Sequence, residues 1–145
     1  MNKQKIERIA RAFRHAIELT PKNVLPIGFA EFPLGSCGDA CLILGRHFIE
    51  SGCGEFDYVL GTRGDPARNT ECSHAWLMHE DIVVDITGDQ FPDFGLKIFV
   101  GQASAFHLSF DIEDRSRADY LDYDQNTSMT LDKAHRIILR NIQNT

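Results

Sequence analysis

At 145 residues the chain has the size of one domain and is long enough to bury a core without disulfide or metal staples. Its composition, 43% hydrophobic and 25% charged, excludes wholesale disorder. The formal net charge of −6 argues against a nucleic-acid role, which calls for a basic face to neutralise phosphates. No apolar run is long enough to span a bilayer, and the first 19 residues mix charge throughout, unlike the apolar core of a secretory signal. The expectation is therefore a single domain over residues 1–145 in the cytoplasm, where Cys37, Cys41, Cys53 and Cys72 remain thiols.

Residues 3–19 read as an amphipathic helix. Ile6, Ile9, Ala10, Phe13, Ala16 and Ile17 recur at helical spacing, while Lys3, Lys5, Arg8, Arg11 and Arg14 form a solvated basic face. Pro21 ends it, and Pro26, Pro33, Gly28 and Gly35 make residues 21–36 an extended approach. Residues 40–49 are apolar around most of a helical circumference, as in a buried helix. Ser36 is its expected cap, Asp39 suits its positive end and Gly52 can close it, which puts Cys37 at its mouth.

A strand is expected over 56–60, then a polar loop over 61–72. Residues 74–78 and 82–87, rich in β-branched and aromatic side chains, flank a short charged turn and read as a hairpin. Residues 96–100 and 106–110 supply further strands, and the sheet is at least partly antiparallel. Residues 111–124 carry six acids against Arg115 and Arg117 and read as a solvated face. A last helix over 131–142 has Thr130 as its cap and Ala134, Ile137, Ile138 and Ile142 inside. The fold class is α+β, a buried helix carrying Cys37 on a mostly antiparallel sheet, with helices at both ends.

Cysteine attacks as thiolate, a form that a helix N-terminus and a nearby imidazole both favour. Cys37 has the first by position. Gly35 and Gly38 keep its surroundings small, and free N–H groups at the helix start can hold an oxyanion. In the hairpin, a two-residue Glu80-Asp81 turn makes Met78 face Val83, Trp76 face Asp85 and His74 face Thr87. His74 and Asp85 then share one side of the sheet, roughly 5–8 Å apart at Cβ. The carboxylate can bind one ring nitrogen and leave the other for the thiol.

This order resembles the papain-like and transglutaminase-like superfamily of cysteine proteases, deubiquitinases, transglutaminases and arylamine acetyltransferases. The resemblance is carried by Gly35-Ser36-Cys37-Gly38, His74-Ala75-Trp76 and Val84-Asp85-Ile86-Thr87, within residues 34–90. It implies Cys37 as nucleophile, His74 as general base and acid, and Asp85 as the residue that orients His74. The sequence departs from the papain pattern at Glu31, where an oxyanion-binding glutamine is usual and an anion cannot donate. Gln90 and Asn23 are the alternative donors, with Gly38 and Trp76 as further oxyanion or substrate contacts.

Bland readings stand beside these. Cys41, one turn inside the helix, reads as core. The Cys and His spacings form neither paired CxxC knuckles nor HExxH, so no metal and no cofactor is expected. The expected activity is a thiol-dependent hydrolase or acyltransferase acting on an amide, ester or thioester of a protein, peptide or small acyl substrate. The alternative is a non-catalytic binding or immunity-type protein that docks through the acidic segment.

Overall fold

A computed structural model describes residues 2–142 as four helices and an antiparallel sheet. Helix α1, Lys3–Leu19, is capped by Asn2, whose side chain accepts from the Lys5 N–H, and buries the expected Ile6, Ala10, Phe13, Ala16 and Ile17. Arg14 departs from the expected solvated face. It is 4% exposed, donates to the Ile86 carbonyl at 2.7 Å and pairs with both Asp89 oxygens at 2.8 Å. Its guanidinium also lies 4.6 Å from the Phe32 ring centroid. Aromatic contact and a paired carboxylate offset the cost of burying the charge. The pairing ties α1 to the segment just beyond Asp85.

Helix α2, Cys37–Glu50, is buried over most of its length and ends at Ser51, followed by Gly52 at φ 77°. That left-handed conformation is the one glycine adopts without steric cost. At Gly45 the helix backbone approaches Ala118 so closely that a Cβ would collide with the Ala118 carbonyl.

Strands β1 (Asp57–Arg63), β2 (Cys72–His79), β3 (Ile82–Asp85), β4 (Phe99–Gln102) and β5 (Asp111–Arg117) form a five-stranded sheet in the order β4-β3-β2-β1-β5. Every pairing is antiparallel. The hairpin forms in the expected register, with Leu77 opposite Val84 and Met78 opposite Val83 across a Glu80-Asp81 turn. β4 begins three residues later than the expected 96–100 strand.

The expected strand over 106–110 is instead a short helix, α3 (Ala105–Leu108), because the Ser104 hydroxyl accepts from the His107 N–H and closes its first turn. Residues 111–124 hold the edge strand β5, all seven residues of which are exposed. The last helix, α4 (Gln125–Ile142), starts earlier than expected. Asp124 rather than Thr130 takes the capping role, accepting from the Thr127 N–H and hydroxyl.

Side-chain alternation divides the core in two. Ala75, Leu77, Val84 and Ile86 face α1, α2 and α4. Val59, Trp76 and Val83 face an aromatic layer built from residues 91–110. No helix among the described residues is long and apolar enough to cross a membrane.

Candidate active site

Three elements deliver Cys37, His74 and Asp85 to one end of the sheet. Cys37 is the first residue of α2, His74 lies near the start of β2, and Asp85 is the last residue of β3. The hairpin register sets Asp85 opposite Trp76, so β2 overhangs β3 by the residues that include His74 and Ala75. The α2 N-terminus meets this overhang. The Cys37 side chain, half-buried, lies near enough to the His74 ring and the Ala75 backbone for both to favour its thiolate.

His74 is wholly buried, and its Nε2 lies 2.8 Å from Asp85 Oδ2. The rings of Phe91, Trp76, Phe106 and Phe110 surround it with centroids 4.9 to 6.0 Å away. An ionised carboxylate only accepts, so Nε2 carries the proton given to Asp85 and Nδ1 is the nitrogen left for the thiol. Asp85 Oδ1 accepts from the Thr87 backbone N–H at 3.1 Å.

The electrostatics favour a thiolate–imidazolium pair. Burial disfavours the Cys37 thiolate, but the hydrogen bond to His74, the charge of that ring and the Ala75 backbone outweigh it and hold the thiol below its ordinary value. Burial likewise opposes the His74 imidazolium, yet hydrogen bonds to Asp85 and Cys37, with their charges, raise it to about 9. At Asp85, burial favours the neutral acid, whereas bonds from His107 and His74 bring the carboxyl down to about 2. Cys41 behaves oppositely: burial, with the Cys37 and Asp85 charges, pushes it well above its ordinary value, as suits a core thiol.

The mouth of α2 is open to an oxyanion. Ser36 does not cap the helix as expected; its hydroxyl donates to the Gly28 carbonyl at 2.7 Å. The first helical bond runs from the Ala40 N–H to the Ser36 carbonyl, so among the described residues the N–H groups of Cys37, Gly38 and Asp39 have no partner. Glycine at 38 keeps a side chain out of this mouth, where a Cβ would come within 3.3 Å of the Tyr58 hydroxyl. Gln90, half-buried, donates to the Thr87 carbonyl at 3.0 Å, with the same nitrogen 3.4 Å from His74 Nδ1. Its amide therefore sits beside the thiol–imidazole pair, held by the loop that Arg14 and Asp89 secure.

The other candidates lie elsewhere. Trp76 is 2% exposed in the aromatic layer, its Nε1 without a hydrogen-bond partner, and offers a substrate no surface. Asn23 lines a groove of about 580 Å³ against α4, to which none of the site residues contributes. Glu31 is exposed in the turn before α2. All four cysteines are free, and no group of three or more His, Cys, Asp or Glu among the described residues can hold a metal ion.

One site residue escaped the sequence reading. His107 Nε2 lies 2.8 Å from Asp85 Oδ2, on the same oxygen that His74 uses, and His107 Nδ1 lies 2.8 Å from the Ser104 hydroxyl. The available signal was a serine three residues ahead of a histidine, a helix-start spacing; read as a strand, 106–110 gave His107 no reason to meet Asp85. No family model matches this chain, and neither a curated protein nor a solved structure does.

Proposed function

We propose that the protein is a thiol-dependent acyl-transfer enzyme, a hydrolase or acyltransferase acting on an amide, ester or thioester carbonyl. The observation that carries this reading is the Cys37 thiol, held below its ordinary value beside the buried His74–Asp85 pair, at a helix N-terminus whose N–H groups are free. The order of helix-borne Cys37, then His74 and Asp85 on paired strands, resembles the papain-like and transglutaminase-like superfamily, and the α+β architecture is compatible with that core.

In the proposed reaction Cys37 Sγ attacks the substrate carbonyl as thiolate. An S–C bond forms, and the carbonyl electrons move onto oxygen, where the Cys37 and Gly38 N–H groups and the Gln90 amide donate to it. His74 Nδ1 gives its proton to the leaving nitrogen, oxygen or sulfur as the C–X bond breaks. Water or an amine then attacks the thioester; His74 takes its proton, and Cys37 leaves again as thiolate. Asp85 stays ionised throughout and holds the imidazolium by charge. Four free thiols suit a reducing, cytoplasmic setting for such a nucleophile.

The binding alternative rests on the exposed acidic segment. Of its six acids, Asp119 pairs with Arg46 and Arg117 and Asp122 with Arg117, while Asp111, Glu113, Asp114 and Asp124 make no ion pair among the described residues.

The test is acylation by an activated ester, p-nitrophenyl acetate, followed by intact mass and peptide mapping. One acetyl group on Cys37, lost on standing and absent in His74→Ala, is expected. Slow acetylation spread over lysines, equal in both proteins, would contradict the proposal.

A further inference from the structure

We propose that His107 is a positioning residue of this site, which, anchored by Ser104, fixes the Asp85 carboxylate against which His74 is aligned. The inference rests on the thiol-enzyme reading and deepens it.

Asp85 Oδ2 accepts from two imidazoles, each at 2.8 Å, while Oδ1 takes the Thr87 N–H at 3.1 Å. Both rings must present Nε2–H to that oxygen, because a carboxylate has no proton to give. At His107 this leaves Nδ1 as the acceptor for the Ser104 hydroxyl, whose oxygen in turn accepts from the His107 backbone N–H at 3.4 Å. Serine thus selects the tautomer that the carboxylate requires. The result is a chain from half-buried Ser104 through buried His107, Asp85 and His74 to the neighbouring, half-buried Cys37.

His107 is 3% exposed, so water does not replace it. Its ring is held by Trp76, Phe99 and Phe94, with centroids 5.0 to 5.2 Å away; the two phenylalanines have no donor, and Trp76 Nε1 makes no hydrogen bond to Asp85. The titratable groups facing Asp85 are His74, His107, Cys37 and Cys41. From outside, Arg63 stacks on Phe106 and Phe110 but pairs with Asp93. Hydrogen bonds and charge from His107 and His74 together keep Asp85 ionised against its burial. Without the His107 bond the carboxylate takes up a proton or swings away, and His74 loses the charge that makes it an imidazolium beside the thiol.

The experiment follows the pH dependence of Cys37 alkylation by iodoacetamide in the wild type, His74→Ala, His107→Leu and His107→Gln. Leucine removes the donor. Glutamine keeps an N–H for Asp85 and an oxygen for Ser104. In His107→Leu the midpoint of the acid limb is expected to rise by about one pH unit, a tenfold loss of thiolate below it; His107→Gln is expected to stay near the wild type. A packing role would lower the melting temperature of the leucine variant and leave its midpoint in place, and that result would overturn the inference alone. A wild-type Cys37 that alkylates like an ordinary thiol, indifferent to His74→Ala, would overturn the enzyme reading and this inference with it. Should His107→Leu fail to fold, nitrogen-15 spectra of the wild-type histidine rings decide. A proton on His107 Nε2 whose resonance moves when Cys37 is alkylated supports the inference, and a bare Nε2 overturns it.

Discussion

Replacing Asp85 by asparagine removes the charge at the centre of the site and almost none of the volume. The carboxylate accepts three N–H groups, from His74, His107 and Thr87. An asparagine has one accepting oxygen, and either orientation of its amide sets N–H against N–H. One buried donor is left unmet, at about 1–3 kcal/mol. The larger effect falls on His74. Its imidazolium, raised to about 9 from an ordinary 6.5 by Asp85 and Cys37, loses the carboxylate while keeping the burial that opposes its charge, so it falls back toward its ordinary value. The full rise corresponds to roughly 3 kcal/mol, of which the carboxylate's share is lost.

At neutral pH the ring is then mostly uncharged, and the Cys37 thiolate loses its partner. Alkylation of Cys37 at pH 7 is expected to fall about tenfold to a hundredfold, with the acid limb moving up by about one to two pH units. Stability follows the same sign. A raised histidine contributes below its unfolded value, and that contribution disappears as pH rises through about 9. The gap between wild type and Asp85→Asn in urea unfolding is therefore widest near pH 6 and narrows toward pH 10. A folded Asp85→Asn protein whose Cys37 alkylates with the wild-type midpoint would refute this reasoning.

Arg14→Met should cost about 3–5 kcal/mol in urea unfolding, because it leaves Asp89 and the Ile86 carbonyl without their shared donor; a loss under 1 kcal/mol would mean that the pairing contributes little. Burial, ahead of the opposing Glu50 charge, lowers the buried His135 to about 4, so the unfolded chain binds a proton the folded one refuses between there and 6.5. Stability should decline as pH falls through that window, by up to roughly 3 kcal/mol from this residue, and His135→Gln should flatten the decline. An unchanged slope in the variant would exclude His135 as the source.

Much of the fold was legible where periodicity and burial agree. Helix α1 follows the 3.6-residue spacing of Ile6, Ala10, Phe13 and Ile17, and the hairpin register follows the alternation of 74–78 with 82–86. Local signals failed where side-chain chemistry overrides pattern. Residues 106–110 have the apolar content of a strand, yet the Ser104 hydroxyl closes a helical turn there. Arg14 looks solvated on a helical wheel, but Asp89 and Phe32, distant in sequence, supply the partner and the face that allow its burial. The proximity of His74 to Asp85 could be read from parity alone, given the turn length. His107 could not, because its contact with Asp85 depends on a helix start and a chain reversal that no short-range pattern encodes. That Ser36 leaves α2 uncapped was likewise hidden: it has the chemistry of a cap, and only the nearby Gly28 carbonyl turns its hydroxyl away.

The central claim is that one thiol of four is a stabilised thiolate. Competitive labelling of the native protein with limiting iodoacetamide at pH 6.5, read by peptide mass, tests it directly. Cys37 is expected to take nearly all the label, at least about tenfold ahead of Cys41, Cys53 and Cys72, with the advantage lost in His74→Ala. Label that follows exposure alone, with Cys37 no faster than the equally half-buried Cys53 and Cys72 and no change in His74→Ala, would contradict it.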